Sequence, residues 1–387
     1  MASKSIIAAT GQLRGETTGG GRTGKDKGGR SGSGPTRRQH RRRQQSRAIL
    51  NALPGLAYAY FHACNEGSRR MASIALLDDY QNVALRMADW SGLQAAHKIQ
   101  VFNARIGDVD ALARALTSFE VIGIMRERTP FPRPLFEKLP NLKLLVTTGK
   151  RNASIDLEAA KDHGVAICGT GGGGLSTAEL AIALMLAFAR NLRQEFHSMR
   201  PGGAWQETLG FDLDGKTLGI LGLGNLGTRV ARIGASIGMK PIAWSENLTE
   251  ERARQHGAER VSKDELFGRA DIVSIHSVLS ARTRGLVGAH ELKQMKRSAL
   301  LVNTSRGPIV EEAALISALR EGRIAGYAAD TFDTEPMPPD HPLRREPRAL
   351  LTPHLGYVTA ETYRSFYSGM VATIEAWFAG KPIGLLT

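Results

Sequence analysis

The sequence predicts an α/β protein made of two doubly wound parallel sheets. Three observations predict it. From residue 73 onward, short runs rich in Val, Ile and Leu alternate with helix-like stretches. The runs are near-continuous in apolar character, as strands buried on both faces require. The alternation breaks at "GTGGGG", residues 169–174, and then starts again.

The first half opens with "SIALLDD", an apolar run bounded by acids. "IQVF" follows and leads into the helical pattern "DVDALARALTSF". "VIGIM", "LKLLVTT" and "VAICGT" come next, with "IDLEAAKDHG" between the last two; the closing glycine fits a helix C-terminal cap. After the break, "STAELAIALMLAFARNL" reads as one long apolar helix, with Ser176 or Thr177 as its N-cap. Six further strands are expected at "TLGILGLG", "KPIAWS", "DIVSIHS", "ALLVNTS", "IAGYAADTF" and "ALLTPH". "AETYRSFYSGMVATIEAWFAG" then reads as an amphipathic helix, and no internal repeat is visible.

The chain has 387 residues, enough for two domains at about 100–200 residues each. Its 42% hydrophobic and 23% charged content fits a globular protein with a core. Cys64 and Cys168 make neither a disulfide framework nor a zinc site, which points to a reducing compartment. Outside the first 70 residues the longest apolar run, Leu180 to Ala189, is half of the roughly 20 residues that span a bilayer. The net charge of +14 suggests nucleic acid until it is located: residues 1–70 carry +11 and the remainder only +3. That leader is rich in Gly, Arg and Ser, so disorder is expected. It admits three readings: a mis-assigned start ahead of Met71, a targeting segment, or a nucleic-acid-binding arm.

Gly222, Gly224 and Gly227 stand in G-x-G-x-x-G spacing within "GLGNLG", with an apolar run before and a helical pattern after. Gly222 permits the tight turn. Gly224, with Asn225 and Leu226 beside it, lets backbone N–H groups approach a pyrophosphate. Gly227 lets the helix pack against the strand. The context therefore predicts a dinucleotide site. Such a site uses an acid about 20 residues on to bind the ribose of NAD. Here Ser245 stands at that place and Glu246 one residue later. Glu246 favours NAD, while Ser245 with Asn247 and Arg252 would admit the 2′-phosphate of NADP.

Ligands of such sheets sit at the carboxyl ends of the strands. There the sequence places Thr304 and Arg306 in "LVNTSRG", Asp330 and Glu335 in "AADTFDTEP", and His354 in "LLTPH". A guanidinium can grip a carboxylate and polarise a neighbouring carbonyl. An imidazole can give or take a hydroxyl proton, and a carboxylate beside it fixes the ring and favours its charged form. Each has a duller reading: a surface ion pair for Arg306, loop solvation for Glu335, a satisfied core residue for His354.

Residues 73–387 resemble the D-isomer-specific 2-hydroxyacid dehydrogenases, a family that includes phosphoglycerate, glycerate and formate dehydrogenases. The matching stretches are "GLGNLG", "VNTSRGPIVEE", "AADTFDTEP", "LLTPHLGYVT", "MRERTPF", "TTGKRNASIDL" and "TAELAIALMLAFAR". The resemblance implies that Arg306 binds the substrate carboxylate, Glu335 partners the histidine and His354 is the acid/base. It implies that Asp330 contacts the nicotinamide amide, and that the loop around Gly149 and Lys150 offers N–H groups to the substrate. It also implies a flavodoxin-like substrate domain, residues 71–172 and 355–387, with a Rossmann NAD(P)-binding domain, 173–354, inserted, and a homodimer; the reducing compartment read from the cysteines makes the expected location cytoplasmic. The chain departs from the family at the displaced ribose acid, and at Ser277-Val278-Leu279, which stands where a proline is usual after the histidine; His276 is expected to be structural.

The expected reaction is hydride transfer at C2 between NAD(P) and a small 2-hydroxy or 2-keto acid. Arg126 and Arg128 in "MRERTPF" would either face the cleft and hold a distal phosphate or form outward ion pairs. The alternative class is a nicotinamide-responsive regulatory or scaffold protein of the same fold. The intact Arg–Glu–His set speaks for an enzyme.

Overall fold

A computed structural model describes residues 71–386 of the protein. The leader, with its three readings, lies outside the described residues. All five strands expected in the first half form: β1 (Ser73–Leu76), β2 (Lys98–Val101), β3 (Val121–Ile124), β4 (Leu144–Thr147) and β5 (Ala166–Gly169). They pair in parallel in the order β2-β1-β3-β4-β5. β3 and β4 lie inside the sheet and are buried at every position, whereas β2, on the edge, has none of its residues fully buried.

The second sheet has seven strands among the described residues: β6 (Thr217–Leu221), β7 (Lys240–Trp244), β8 (Glu259–Arg260), β9 (Ile272–Ile275), β10 (Leu300–Asn303), β11 (Gly326–Ala329) and β12 (Ala349–Leu351). All pairings are parallel, in the order β12-β11-β10-β9-β6-β7-β8. Sequence reading expected six. The seventh, β8, is two exposed charged residues at the sheet edge, held by pairing with β7 rather than by burial. In each sheet the strand order reverses beside the first strand, between β1 and β3 and between β6 and β9. Such reversals open crevices at the carboxyl ends.

Each sheet is covered on both faces. On β10, Leu300 and Val302 face one apolar cluster and Leu301 the other. In the first sheet Ile74 and Leu76 face one side and Ala75 the opposite one. The long C-terminal helix, Ala360–Phe378, is capped by Thr359, whose hydroxyl accepts from the Thr362 N–H. It lays Tyr363, Phe366, Tyr367, Met370 and Ile374 on the first sheet, against Ile74, Leu76, Val121 and Val146. Truncating a ring such as Phe366 there costs about 3–5 kcal/mol. Gly123 of β3 is what allows the close approach: a Cβ on it would lie 2.4 Å from the Met370 sulfur. The chain thus leaves the first sheet after β5, builds the second, and returns.

Two helix expectations need correction. The apolar helix runs Ser176–Ala189 and stops before Asn191, whose left-handed backbone (φ 47°) separates it from a second helix at Leu192–Ser198. Its N-cap residue is Leu175, and neither Ser176 nor Thr177 caps it. Both hydroxyls instead donate to the carbonyl of Gly356, at 2.8 and 3.0 Å. That carbonyl arrives from the returning chain and competes successfully for both donors.

Candidate active site

β10, β11 and β12 are parallel neighbours, so the loops after them emerge at one edge. The loop after β10 is shaped by Asn303. Its Oδ1 accepts from the Ser305 N–H (3.0 Å) and its Nδ2 donates to the Arg306 carbonyl (2.9 Å). This local bonding presents Arg306, which is partly exposed, at the strand end. Gly307 then passes so close to the next loop that a Cβ would sit 2.1 Å from the Phe332 carbonyl carbon. The Phe332 N–H in turn donates to Glu335 Oε1 at 2.8 Å.

The other oxygen of Glu335 lies 2.6 Å from Nδ1 of His354. The two side chains keep 34% and 22% of their surface exposed, so a small solute can reach the pair. With Nδ1 committed to Glu335, Nε2 is the nitrogen left for proton exchange. The backbone of His354 is left-handed (φ 53°), a conformation that costs a non-glycine residue about 1–3 kcal/mol. Asp330 holds it there. Its Oδ1 accepts from the Thr352 hydroxyl (2.6 Å) and the Leu355 N–H (2.7 Å), and its Oδ2 from the Gly356 N–H (2.8 Å).

Asp330, expected at a nicotinamide amide, is fully buried, with both oxygens bonded to its own chain. Burial pushes its carboxyl above the usual range, and the bonds from Thr352, Leu355 and Gly356 act against that rise. These bonds fix the backbone on either side of His354.

The glycine turn follows β6 on the same edge. Gly222 has φ 105°, and a Cβ there would lie 2.7 Å from the Ser277 nitrogen. A Cβ on Gly227 would lie 2.1 Å from the Gly222 oxygen, so helix and strand meet only because it has none. Gly224 differs: it faces open space, with nothing within 4 Å of a Cβ. It is the N-cap residue of the helix Asn225–Ser236 and supplies no side-chain cap, so the first-turn N–H groups there are left for a ligand. Leu226 is half-buried and Asn225 exposed beside it. Ser245 bonds back to the turn, its hydroxyl accepting from the Leu223 N–H at 3.0 Å, and Glu246 is exposed just beyond. Thr304 keeps a buried hydroxyl with no hydrogen-bond partner among the described residues. The turn is tied to the Arg306 loop through Ser277, whose carbonyl accepts from the Ser305 hydroxyl at 2.6 Å. The residues present therefore fit a dinucleotide: a helix N-terminus opening on free space, with an orphaned hydroxyl nearby.

His276 has its Nε2 2.8 Å from the hydroxyl of Ser274, a fully buried residue, and burial pulls its pKa down to about 4. Such a ring serves as a neutral structural partner.

The first sheet contributes "MRERTPF". Arg128 forms no outward ion pair among the described residues. Its guanidinium donates to the Tyr357 hydroxyl (2.8 Å), the Tyr363 hydroxyl (3.0 Å) and the Asp78 carbonyl (2.6 Å). Arg126 donates to the Thr148 carbonyl at 3.2 Å and lies 3.5 Å from Glu127. Gly149 does not hold out an N–H, because that group already donates to the Thr170 hydroxyl at 2.9 Å. Its φ of 88° and missing Cβ make room for Arg126, whose Nη1 would lie 1.9 Å from a Cβ there. Lys150 is exposed on the following turn. Sequence reading missed Glu127 and Tyr357. Glu127 bonds Arg306 at 2.9 Å, and the Tyr357 ring stands edge-on to His354.

Residues 182–356 match the model for the NAD-binding domain of the D-isomer specific 2-hydroxyacid dehydrogenases. The chain is 42% identical over 256 residues to a glyoxylate reductase of Aeropyrum pernix, covering 64% of this chain and 76% of the reductase. It is 35% identical to a D-3-phosphoglycerate dehydrogenase of Archaeoglobus fulgidus, over 65% of this chain but only 48% of that longer protein. A solved phosphoglycerate oxidoreductase from Vibrio cholerae superposes with a TM-score of 0.76 at 36% identity, covering 80% of this chain and 99% of the other.

Proposed function

Because the chain belongs to the D-isomer specific 2-hydroxyacid dehydrogenase family, we propose that it moves hydride between NAD and C2 of a small 2-hydroxy or 2-keto acid. The observation that carries this reading is the 2.6 Å contact of Glu335 with His354, on the sheet edge that also presents Arg306 and the glycine turn.

The N-terminus of the helix Asn225–Ser236, Gly224 and Thr304 would hold the dinucleotide, with Ser245 and Glu246 at its ribose. When bound, the reduced nicotinamide supplies the hydride. Arg306 grips the substrate carboxylate and polarises the adjacent carbonyl. His354 gives a proton from Nε2 to the oxygen that gains charge, while Glu335 holds and orients the ring through Nδ1. In the opposite direction the same nitrogen removes the hydroxyl proton. The lobe built on the first sheet, residues 71–172 with 355–387, supplies the substrate side, and 173–354 the cofactor side. A cytoplasmic homodimer belongs to the same reading; sedimentation of the purified chain checks the dimer. Among the described residues no helix is long and apolar enough to cross a membrane.

The test is loss of NADH absorbance with a panel of 2-keto acids, repeated with NADPH. Turnover of at least one acid is expected, with NADH preferred. Silence with every acid and both cofactors would leave a nicotinamide-binding regulatory protein as the better reading.

A further inference from the structure

One carboxylate oxygen, from the loop after β3, receives two guanidinium groups. Glu127 Oε1 accepts from Arg306 at 2.9 Å and lies 3.5 Å from Arg126 Nη2. Its second oxygen, Oε2, is buried and has no hydrogen-bond partner among the described residues. Burial would raise this carboxyl, but Arg306 and Arg126 outweigh it, and the net effect lowers it below the usual range. Glu127 is therefore ionised at neutral pH.

Arg126 is fixed where it is. Its backbone is left-handed (φ 54°), its N–H donates to the Thr148 hydroxyl (2.9 Å) and its carbonyl accepts from Asn152 (2.7 Å). Its guanidinium is held between the Thr148 carbonyl and Glu127, and Arg128 is enclosed by Tyr357 and Tyr363. Neither arginine of "MRERTPF" is thus left to receive a second anion. The group standing beside Arg306 is a carboxylate with an unfilled acceptor.

We propose that Glu127 sets the substrate class: short 2-keto acids with a single negative charge, against analogues that carry a second anion on the tail. The proposal rests on the assignment of Arg306 as the carboxylate-binding residue. A substrate held there places its tail near Glu127. A neutral tail can sit beside this carboxylate without a charge conflict, whereas a phosphate or second carboxylate meets a like charge with no donor between them. The competing cations are Lys150 and Arg151, exposed on the turn after Gly149.

The experiment measures kcat/KM for glyoxylate, hydroxypyruvate and 3-phosphohydroxypyruvate with the full-length enzyme and its Glu127→Gln and Glu127→Asp variants. Glyoxylate, which has no tail, is the reference. The wild type should favour hydroxypyruvate over its phosphorylated form by about 10–100-fold. Glu127→Gln should shrink that ratio by roughly tenfold, and Glu127→Asp should keep most of it. Ratios within one variant cancel any loss of folded protein. Equal or better use of the phosphorylated acid by the wild type, or an unchanged ratio in Glu127→Gln, would overturn the role of Glu127 alone. A wild type inert toward all three acids with both nicotinamides would sink the dehydrogenase reading, and this proposal with it.

Discussion

The ring of Tyr357 stands edge-on to the imidazole of His354, with centroids 5.2 Å apart and planes at 75°. The Tyr357 hydroxyl accepts from Arg128, so His354 leans on a ring anchored to the other sheet's loops. Tyr357→Phe leaves the half-buried guanidinium one acceptor short and should cost about 1–3 kcal/mol of stability. Tyr357→Leu should in addition lower kcat, because the imidazole loses its lateral support. Thermal melts and steady-state kinetics on both variants separate the two effects.

His354→Asn should lower kcat by about 10²–10⁴-fold while leaving NADH affinity near its wild-type value. Glu335→Gln should lose less, on the order of 10–100-fold, since Nδ1 keeps a hydrogen-bond partner but loses a charge. Fluorescence titration with NADH alongside turnover is the check. A His354→Asn enzyme with wild-type kcat would remove the histidine from the mechanism.

Two glycines three residues apart should fail in opposite ways. Gly224→Ala meets nothing within 4 Å and loses only the N-cap preference for glycine, so stability should fall by no more than about 1 kcal/mol while NADH binding weakens. Gly227→Ala forces a methyl to within 2.1 Å of a backbone oxygen and should lower the melting temperature as well. Paired melting curves and cofactor titrations read both. A Gly224→Ala variant that binds NADH normally would mean that the turn is not the cradle.

His276 gives a pH signature. Its pKa in the folded chain is about 4, below the ordinary 6.5. The unfolded chain therefore takes up a proton that the fold refuses between those values. The stability it contributes is complete above pH 6.5 and is lost as pH falls toward 4. The residue as a whole is half-buried, so about 1–3 kcal/mol is at stake. His276→Gln should flatten the denaturation midpoint across this window, as urea titrations at several pH values would show.

The strands were legible because burial on two faces writes apolar residues at nearly every position, as in "VIGI" and "LLVN". β8 was not, since Glu259 and Arg260 carry no apolar signal and exist as a strand only through β7. Local pattern also fixed the helix from Ala360, but not the partners of Ser176 and Thr177, which come from a carbonyl about 180 positions away. The pairing of Glu335 with His354 was expected from their motifs. Glu127 was visible between two arginines, yet its meaning depends on Arg306, 179 residues along the chain. The donor role of Gly149 came from the family resemblance alone, and nothing local in the sequence signals that its N–H is taken by Thr170. The space Gly149 gives up is filled by Arg126.

The oxygen of Gly356, gripped by Ser176 and Thr177, has a mechanical consequence. The polypeptide passes between the sheets twice, and these bonds pin the outbound pass to the inbound one. A protein engineer who spliced extra residues into either pass, where connecting loops ordinarily accept them, would slacken both together. The histidine sits two residues from that pin, so its aim would drift before either sheet began to melt.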